Sequence, residues 1–156
     1  MLTFRYATRE DCSLILSFIK ELAEYERMLD EVVATPELLE EWIFDKQKAE
    51  VLFAVEDAGE VGFALFFSNF STFLGKAGLY LEDLYVRPEY RGKGYGKALL
   101  KQVAKAATER GYGRLEWSCL DWNTESIDFY LSLGAKPLED WTMYRAAGST
   151  LEDLAT

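Results

Sequence analysis

Apolar and polar positions alternate over residues 2–6, the period of a half-buried strand, and the pattern then lengthens. Leu14, Ile15, Phe18, Ile19 and Leu22 recur at helical spacing behind Thr8-x-x-Asp11, a helix-start signature, and predict a helix to about Arg27. Thr35 followed by Pro36 supplies a cap and a first-turn proline for a second helix bearing Leu38, Leu39, Trp42 and Ile43. Residues 51–56 and 61–70 read as strands joined by a hairpin at Asp57-Ala58-Gly59-Glu60, and residues 77–86 as a further strand. A glycine turn leads into another helix, with Leu99, Val103 and Ala106 on one face and Lys97, Lys101 and Lys105 on another. Residues 113–119 form a strand. Asn123 then caps a helix through Leu133 that stops at Gly134, with Pro137 just beyond. Residues 141–146 are expected to be the last strand. The order β-α-α-β-β-β-α-β-α-β describes an α/β chain with one central mixed sheet flanked by helices. Without linkers or repeats, residues 1–156 read as a single domain.

The turn between the third helix and the strand before it carries the strongest chemical signal. Arg91, Gly92, Lys93, Gly94, Tyr95, Gly96 and Lys97 stand where backbone N–H groups at a helix start point outward and the helix dipole adds partial positive charge. Glycines let the backbone approach an anion closely. Between residues 87 and 101 there are five basic residues and one acid, whereas the whole chain carries a formal charge of −10. The turn is therefore a basic island on an acidic protein. No Gly-Lys-Ser/Thr follows, so it is not a P-loop, and its place past mid-chain does not suit a dinucleotide fold.

Charge and composition narrow the function further. Residues 1–60 hold 15 acids and 6 bases, which argues against nucleic acid; most of these acids read as solvated surface, with a cationic small substrate as the alternative for a few. The chain has no histidine, which removes imidazole acid–base chemistry and most metal sites. Cys12 and Cys119 form neither a disulfide framework nor a CxxC motif. They suit reduced thiols in a cytoplasmic protein. No stretch approaches the roughly 18 apolar residues of a membrane span, and residues 1–11 do not read as a signal peptide.

Arg-x-x-Gly-x-Gly at 91–96, entered from a strand ending at Val86, resembles the acetyl-CoA motif of the GNAT N-acetyltransferases. The segments CSLILSFIKELAEYERM, VGFALFFSNFSTFLGKAGLYLEDLYVRPEYRGKGYGKALL and WNTESIDFYLSLGA extend that likeness over nearly the whole chain. They resemble the diamine (spermidine/spermine) N-acetyltransferase subfamily, whose relatives also acetylate lysine analogues such as thialysine. The resemblance implies that the backbone of Leu84, Tyr85 and Val86 pairs with the pantetheine arm of coenzyme A. It further implies that the turn holds the pyrophosphate, that Asn123 and Ser126 touch the cofactor, and that Tyr130 sits beside the thioester sulfur. Tyr25, Glu26, Glu82, Glu116 and Trp117 fall where the family binds its amine. One departure stands out: the family's Asn-Glu-Pro-Ser is Asn123-Thr124-Glu125-Ser126 here. A homodimer is the family's usual form.

The chemistry sets its own demands. An alkylammonium with a pKa of about 10.4 must lose a proton before it attacks, at a cost near pH 7 of about 4.6 kcal/mol. Without histidine a carboxylate is the natural acceptor, and Glu82, on the strand entering the turn, is the candidate, acting directly or through water. Tyr130 offers a phenol to protonate the departing thiolate. The expected activity is acetyl transfer from acetyl-CoA to a small cationic primary amine by direct attack, without metal. Thialysine-like amino acids, protein or peptide amines, and a noncatalytic acyl-CoA sensor are the alternatives.

Overall fold

A ring-on-ring contact fixes the first half of the chain. In the computed structural model, which describes residues 1–156, strands β1 (Thr3–Tyr6), β2 (Glu50–Glu56), β3 (Gly59–Ser71), β4 (Lys76–Val86) and β5 (Leu115–Trp117) form one sheet in the order β1-β2-β3-β4-β5. The first three pairings are antiparallel and β4–β5 is parallel. Register aligns Arg5, Phe53, Phe63 and Tyr85 in one row across four strands. Phe18 of helix α1 (Cys12–Tyr25) sits over that row, 5.9 Å from the Phe53 ring, 5.3 Å from Phe63 and 6.4 Å from Tyr85. Leu52, Ala54 and Ala64, one residue out of step, face the other side of the sheet. There helix α3 (Tyr95–Glu109) packs against β2, β3 and β4 with Leu99, Leu100, Val103 and Ala107 buried. The buried stripe thus uses Ala107 where the sequence pattern pointed to Ala106.

The predicted start signals hold. Asp11 accepts from the Thr8 N–H at 2.7 Å and pairs with Arg5 at 2.8 Å. Thr35 accepts from the Leu38 N–H at 3.2 Å. The second helix is shorter and looser than its pattern suggests. One α-helical turn, α2 (Pro36–Leu39), runs on as a π-helical stretch over Glu40–Asp45.

Two irregularities in β4 shape everything nearby. Leu65 lies opposite Asp83 while Phe66 lies opposite Leu81, so Glu82 has no partner and forms a bulge. On the other edge β5 matches β4 only at Leu79, Tyr80 and Leu81, and β4 then runs five residues further without that neighbour.

The chain divides into two compact units, Met1–Ser118 and Cys119–Thr156. The second contains α4 (Thr124–Ser132) and α5 (Ser149–Leu154). Residues 141–146, expected to be a sixth strand, form no regular element, and α5 was not anticipated. Their alternation is suitable, but a strand exists only where a neighbour accepts its backbone hydrogen bonds. Here Trp141 and Tyr144 stay 71% and 91% exposed. The fourth predicted inter-helix strand, 113–119, contracts to β5 for the same reason. Gly113 N–H and Arg114 C=O still bond to Ala77 and Leu79, and pairing stops after Trp117.

Removing Phe63 leaves a void beneath Phe18, between the fully buried Phe53 and the buried Tyr85. Phe63→Ala should destabilise the fold by about 3–5 kcal/mol and lower Tm by on the order of 10 °C, measured by thermal unfolding. A shift under about 2 °C would contradict this packing.

Candidate active site

The glycine turn is built as its composition suggests. Pro88–Tyr90 makes one 3-10 turn after β4, and Gly92 and Gly94 follow at φ 77° and 80°. A Cβ at either would meet nothing within 4 Å, so conformation, not crowding, demands glycine there. Gly94 caps α3 without any side-chain hydrogen bond, which leaves the first-turn amides of a 15-residue helix outward. Lys93 and Lys97 are exposed beside them. Tyr95 anchors the turn from below by donating its hydroxyl to Glu56. That bond is the first cause holding the Glu56 carboxyl below its ordinary range.

The end of β4 supplies a second element. The Arg87 N–H donates to Val61 O at 2.9 Å, toward β3. By alternation the polar groups of Val86 and Leu84 face the opposite edge, where β5 has ended. Arg91 confirms that orientation, since its Nε donates to Val86 O at 2.8 Å. The Arg91 guanidinium also lies 5.1 Å from the Tyr25 ring centre and 5.3 Å from that of Tyr85. An open strand edge continuing into uncapped helix amides fits a long ligand with amide groups at one end and a diphosphate at the other. The residues present therefore suit coenzyme A.

Acids gather beside that edge. Glu26 is the residue that ends α1, Glu82 is the bulge, and Asp83 shares the inward face with Tyr85. Burial first, and then Glu82 and Glu26, push the Asp83 carboxyl up to about 7. Burial and then Glu82 raise Glu26 as well. Glu26 and Asp83 therefore each stand within electrostatic reach of Glu82. Asp83 escaped the sequence reading, although an acid two residues before an inward tyrosine on an apolar strand was the available signal.

The remaining predicted residues are distributed less evenly. Tyr25 lies under Arg91, next to Glu26. Glu116 of β5 is already engaged, 3.1 Å from Arg114 Nε and accepting from Asn69 Nδ2 at 3.3 Å. Trp117 pairs in register with Leu81 and is half-buried. In the second unit Asn123 caps α4 by accepting from the Ser126 N–H at 3.3 Å, so the cap forms without the family's proline. Tyr130 lies on α4 with its ring 5.4 Å from that of Phe129. Cys119 donates toward Leu120 O at 3.6 Å. No group of three His, Cys, Asp or Glu side chains is placed to hold a metal ion, and no helix is long and apolar enough to cross a membrane.

Comparison with known proteins agrees with this geometry. The sequence profile of the Acetyltransferase (GNAT) family matches residues 15–135. A thialysine N-epsilon-acetyltransferase of Bos taurus is 40% identical over 163 residues, covering 97% of this chain and 95% of its own. The spermidine/spermine N(1)-acetyltransferase-like protein 1 of Homo sapiens is 36% identical over 97% of this chain and 23% of its own. Among solved structures, an integron cassette protein from the mobile metagenome of V. cholerae matches with a TM-score of 0.81 at 28% identity, over 99% of this chain and 97% of that one.

The Asp83 shift has a thermodynamic consequence. Its folded pKa stands above the unfolded value, so its contribution is fully present below about pH 4 and is lost as pH rises through about 7. Asp83→Asn should match the wild type near pH 4.5 and exceed it at pH 8 by on the order of 2–4 kcal/mol, measured by urea unfolding at both values. A stability difference that does not change with pH would show that Asp83 is not raised.

Proposed function

We propose that this chain, which belongs to the Acetyltransferase (GNAT) family, moves the acetyl group of acetyl-CoA to a primary amine of a small cationic substrate, a diamine or polyamine. It is an enzyme, and it acetylates amines. The finer reading rests on one observation: Glu26, Glu82 and Asp83 crowd together beside the open edge of β4. A substrate with two or more ammonium groups would relieve that crowding, with one nitrogen presented for reaction and another held by the remaining acids. The Tyr25 ring, together with Glu116 and Trp117 of β5, is proposed to line the same site.

In this reading acetyl-CoA supplies the activated acyl group. The backbone of Leu84, Tyr85 and Val86 aligns its arm. The amides and charges of Arg91, Gly92, Lys93, Gly94, Tyr95, Gly96 and Lys97 hold its diphosphate, with Asn123 and Ser126 as further contacts. Glu82 accepts the ammonium proton, directly or through water, and Asp83 keeps a titrating carboxyl next to it near neutral pH. The neutral nitrogen forms the new C–N bond as the C–S bond breaks, the Tyr130 phenol donates a proton to the thiolate, and the proton shed by the acylated nitrogen returns through water to the phenolate. The working form is proposed to be a cytoplasmic homodimer whose 156 residues act as one acetyltransferase domain, with no nucleic-acid partner.

One observation favours a second reading. The bovine relative matched from end to end acts, by its name, on thialysine, an amino acid with a side-chain amine. An amino-acid substrate carries a carboxylate that the acidic cluster would repel, which is why the polyamine reading stands first. Release of free coenzyme A with spermidine, putrescine, thialysine and a lysine peptide decides between them. Spermidine or putrescine should give the highest kcat/KM. A peptide or thialysine in first place would overturn that ranking, and no release with any amine would remove the proposal.

Both proposed proton carriers can be tested in the same assay. Glu82→Gln and Tyr130→Phe should each lower kcat by about 10²-fold or more, with the affinity for acetyl-CoA changed little. An unchanged kcat in either variant removes that residue from the reaction.

A further inference from the structure

Two arginines leave the end of β4, and their surroundings differ. Arg87 is locked. It pairs with Glu21 at 3.1 Å, donates to Glu60 O at 3.2 Å and lies 4.4 Å from the centre of the Phe18 ring. Arg91 has no carboxylate partner among its contacts. It is exposed, and it is held by one backbone acceptor, Val86 O, and by the faces of Tyr25 and Tyr85. These contacts lie on two surfaces that the proposed function uses for different ligands. Val86 O is on the strand edge assigned to the pantetheine arm, and the Tyr25 ring, adjoining Glu26, is assigned to the amine. A guanidinium on both cannot stay when either ligand arrives.

We infer that Arg91 is a latch between the two substrate sites, its guanidinium covering the Val86 carbonyl and the Tyr25 ring until the cofactor draws it toward the diphosphate. The inference rests on the acetyltransferase reading and goes beyond it by assigning Arg91 the coupling between the two sites. Its physical basis is exchange of partners. An arginine prefers bidentate contact with a phosphate to one carbonyl bond and two partly exposed ring faces. When the cofactor takes the carbonyl and offers the phosphates, the guanidinium moves from one set to the other. The aromatic face beside Glu26 is then available to an alkylammonium, which uses the same cation–π attraction that held Arg91. Linkage makes the effect reciprocal: whatever factor the cofactor adds to amine affinity, the amine adds to cofactor affinity.

Calorimetry with coenzyme A, whose free thiol cannot acetylate, isolates binding from chemistry. The amine is whichever of spermidine, putrescine and thialysine turns over fastest in the release assay. Titrated into the wild-type protein, it should bind about tenfold or more tightly once coenzyme A is saturating, a difference of about 1.4 kcal/mol. Arg91→Ala should weaken coenzyme A binding. It should also strengthen amine binding to the protein without coenzyme A toward the level of the loaded wild type, and a loosened fold would not do that. Equal amine affinity in the two states of the wild type, or no gain in Arg91→Ala, overturns the latch. Should the variant fold poorly, NMR of the wild type decides. The Arg91 Nε–H resonance should be protected from exchange and should move on coenzyme A addition, and an unchanged resonance at saturation refutes the inference. Turnover with normal kinetics but no coupling would sink the latch alone. Absence of turnover with every amine would sink the proposed function and the latch with it.

Discussion

Phe18 is the contact on which the site geometry depends. Its ring rests on Phe63 and reaches both Phe53 and Tyr85, so one side chain sets the distance and direction of α1 over three strands at once. The last residues of α1 inherit that placement. Tyr25 and Glu26 stand two turns beyond Phe18 on a rigid helix, and the position of Tyr85 determines where Asp83 lies two residues earlier on the same face. Arg87 closes the arrangement by lying on Phe18 while it pairs with Glu21. The acidic cluster is thus placed by an aromatic core, and the acids themselves contribute repulsion to it.

That repulsion is tolerated because the sheet is irregular where the acids meet. A regular β4 would send Glu82 and Asp83 to opposite faces in strict alternation. The bulge at Glu82 breaks the ladder and lets both carboxyls approach the end of α1. The early end of β5 leaves the same stretch of β4 with unpaired polar groups on its other side. Strand irregularity therefore goes with two features of one stretch of β4, a row of unpaired backbone donors and acceptors and a cluster of acids. Amine acetylation needs both, a held thioester and a partner for an ammonium, within reach of one strand.

The charge pattern follows the same division. The protein is acidic overall, and the turn before α3 is a locally basic stretch, with Arg91 and Lys93 in it and Lys97 just inside the helix. A cationic amine is drawn to most of the surface, while a polyanionic cofactor is drawn to one place. Arg91 belongs to the basic turn by sequence, and its guanidinium reaches Tyr25, next to Glu26, and the Val86 carbonyl.

The sequence by itself determined the local elements and the chemistry of the turn. Thr8-x-x-Asp11, Thr35-Pro36 and Asn123 all cap as their patterns require, because a cap involves residues three apart and nothing else. Gly92 and Gly94 adopt the left-handed conformation, which their lack of a side chain permits. Only the tertiary structure decided what depends on a partner distant along the chain. Residues 141–146 have the alternation of a strand and no neighbour to pair with. Asp83 looked like the polar end of a strand until a bulge and the end of α1 enclosed it. Glu116 carries the charge expected of the amine site, yet Arg114 and Asn69 already engage it. Periodicity records what a residue can do with its sequence neighbours, whereas burial, pairing and charge are set by residues that only folding brings near.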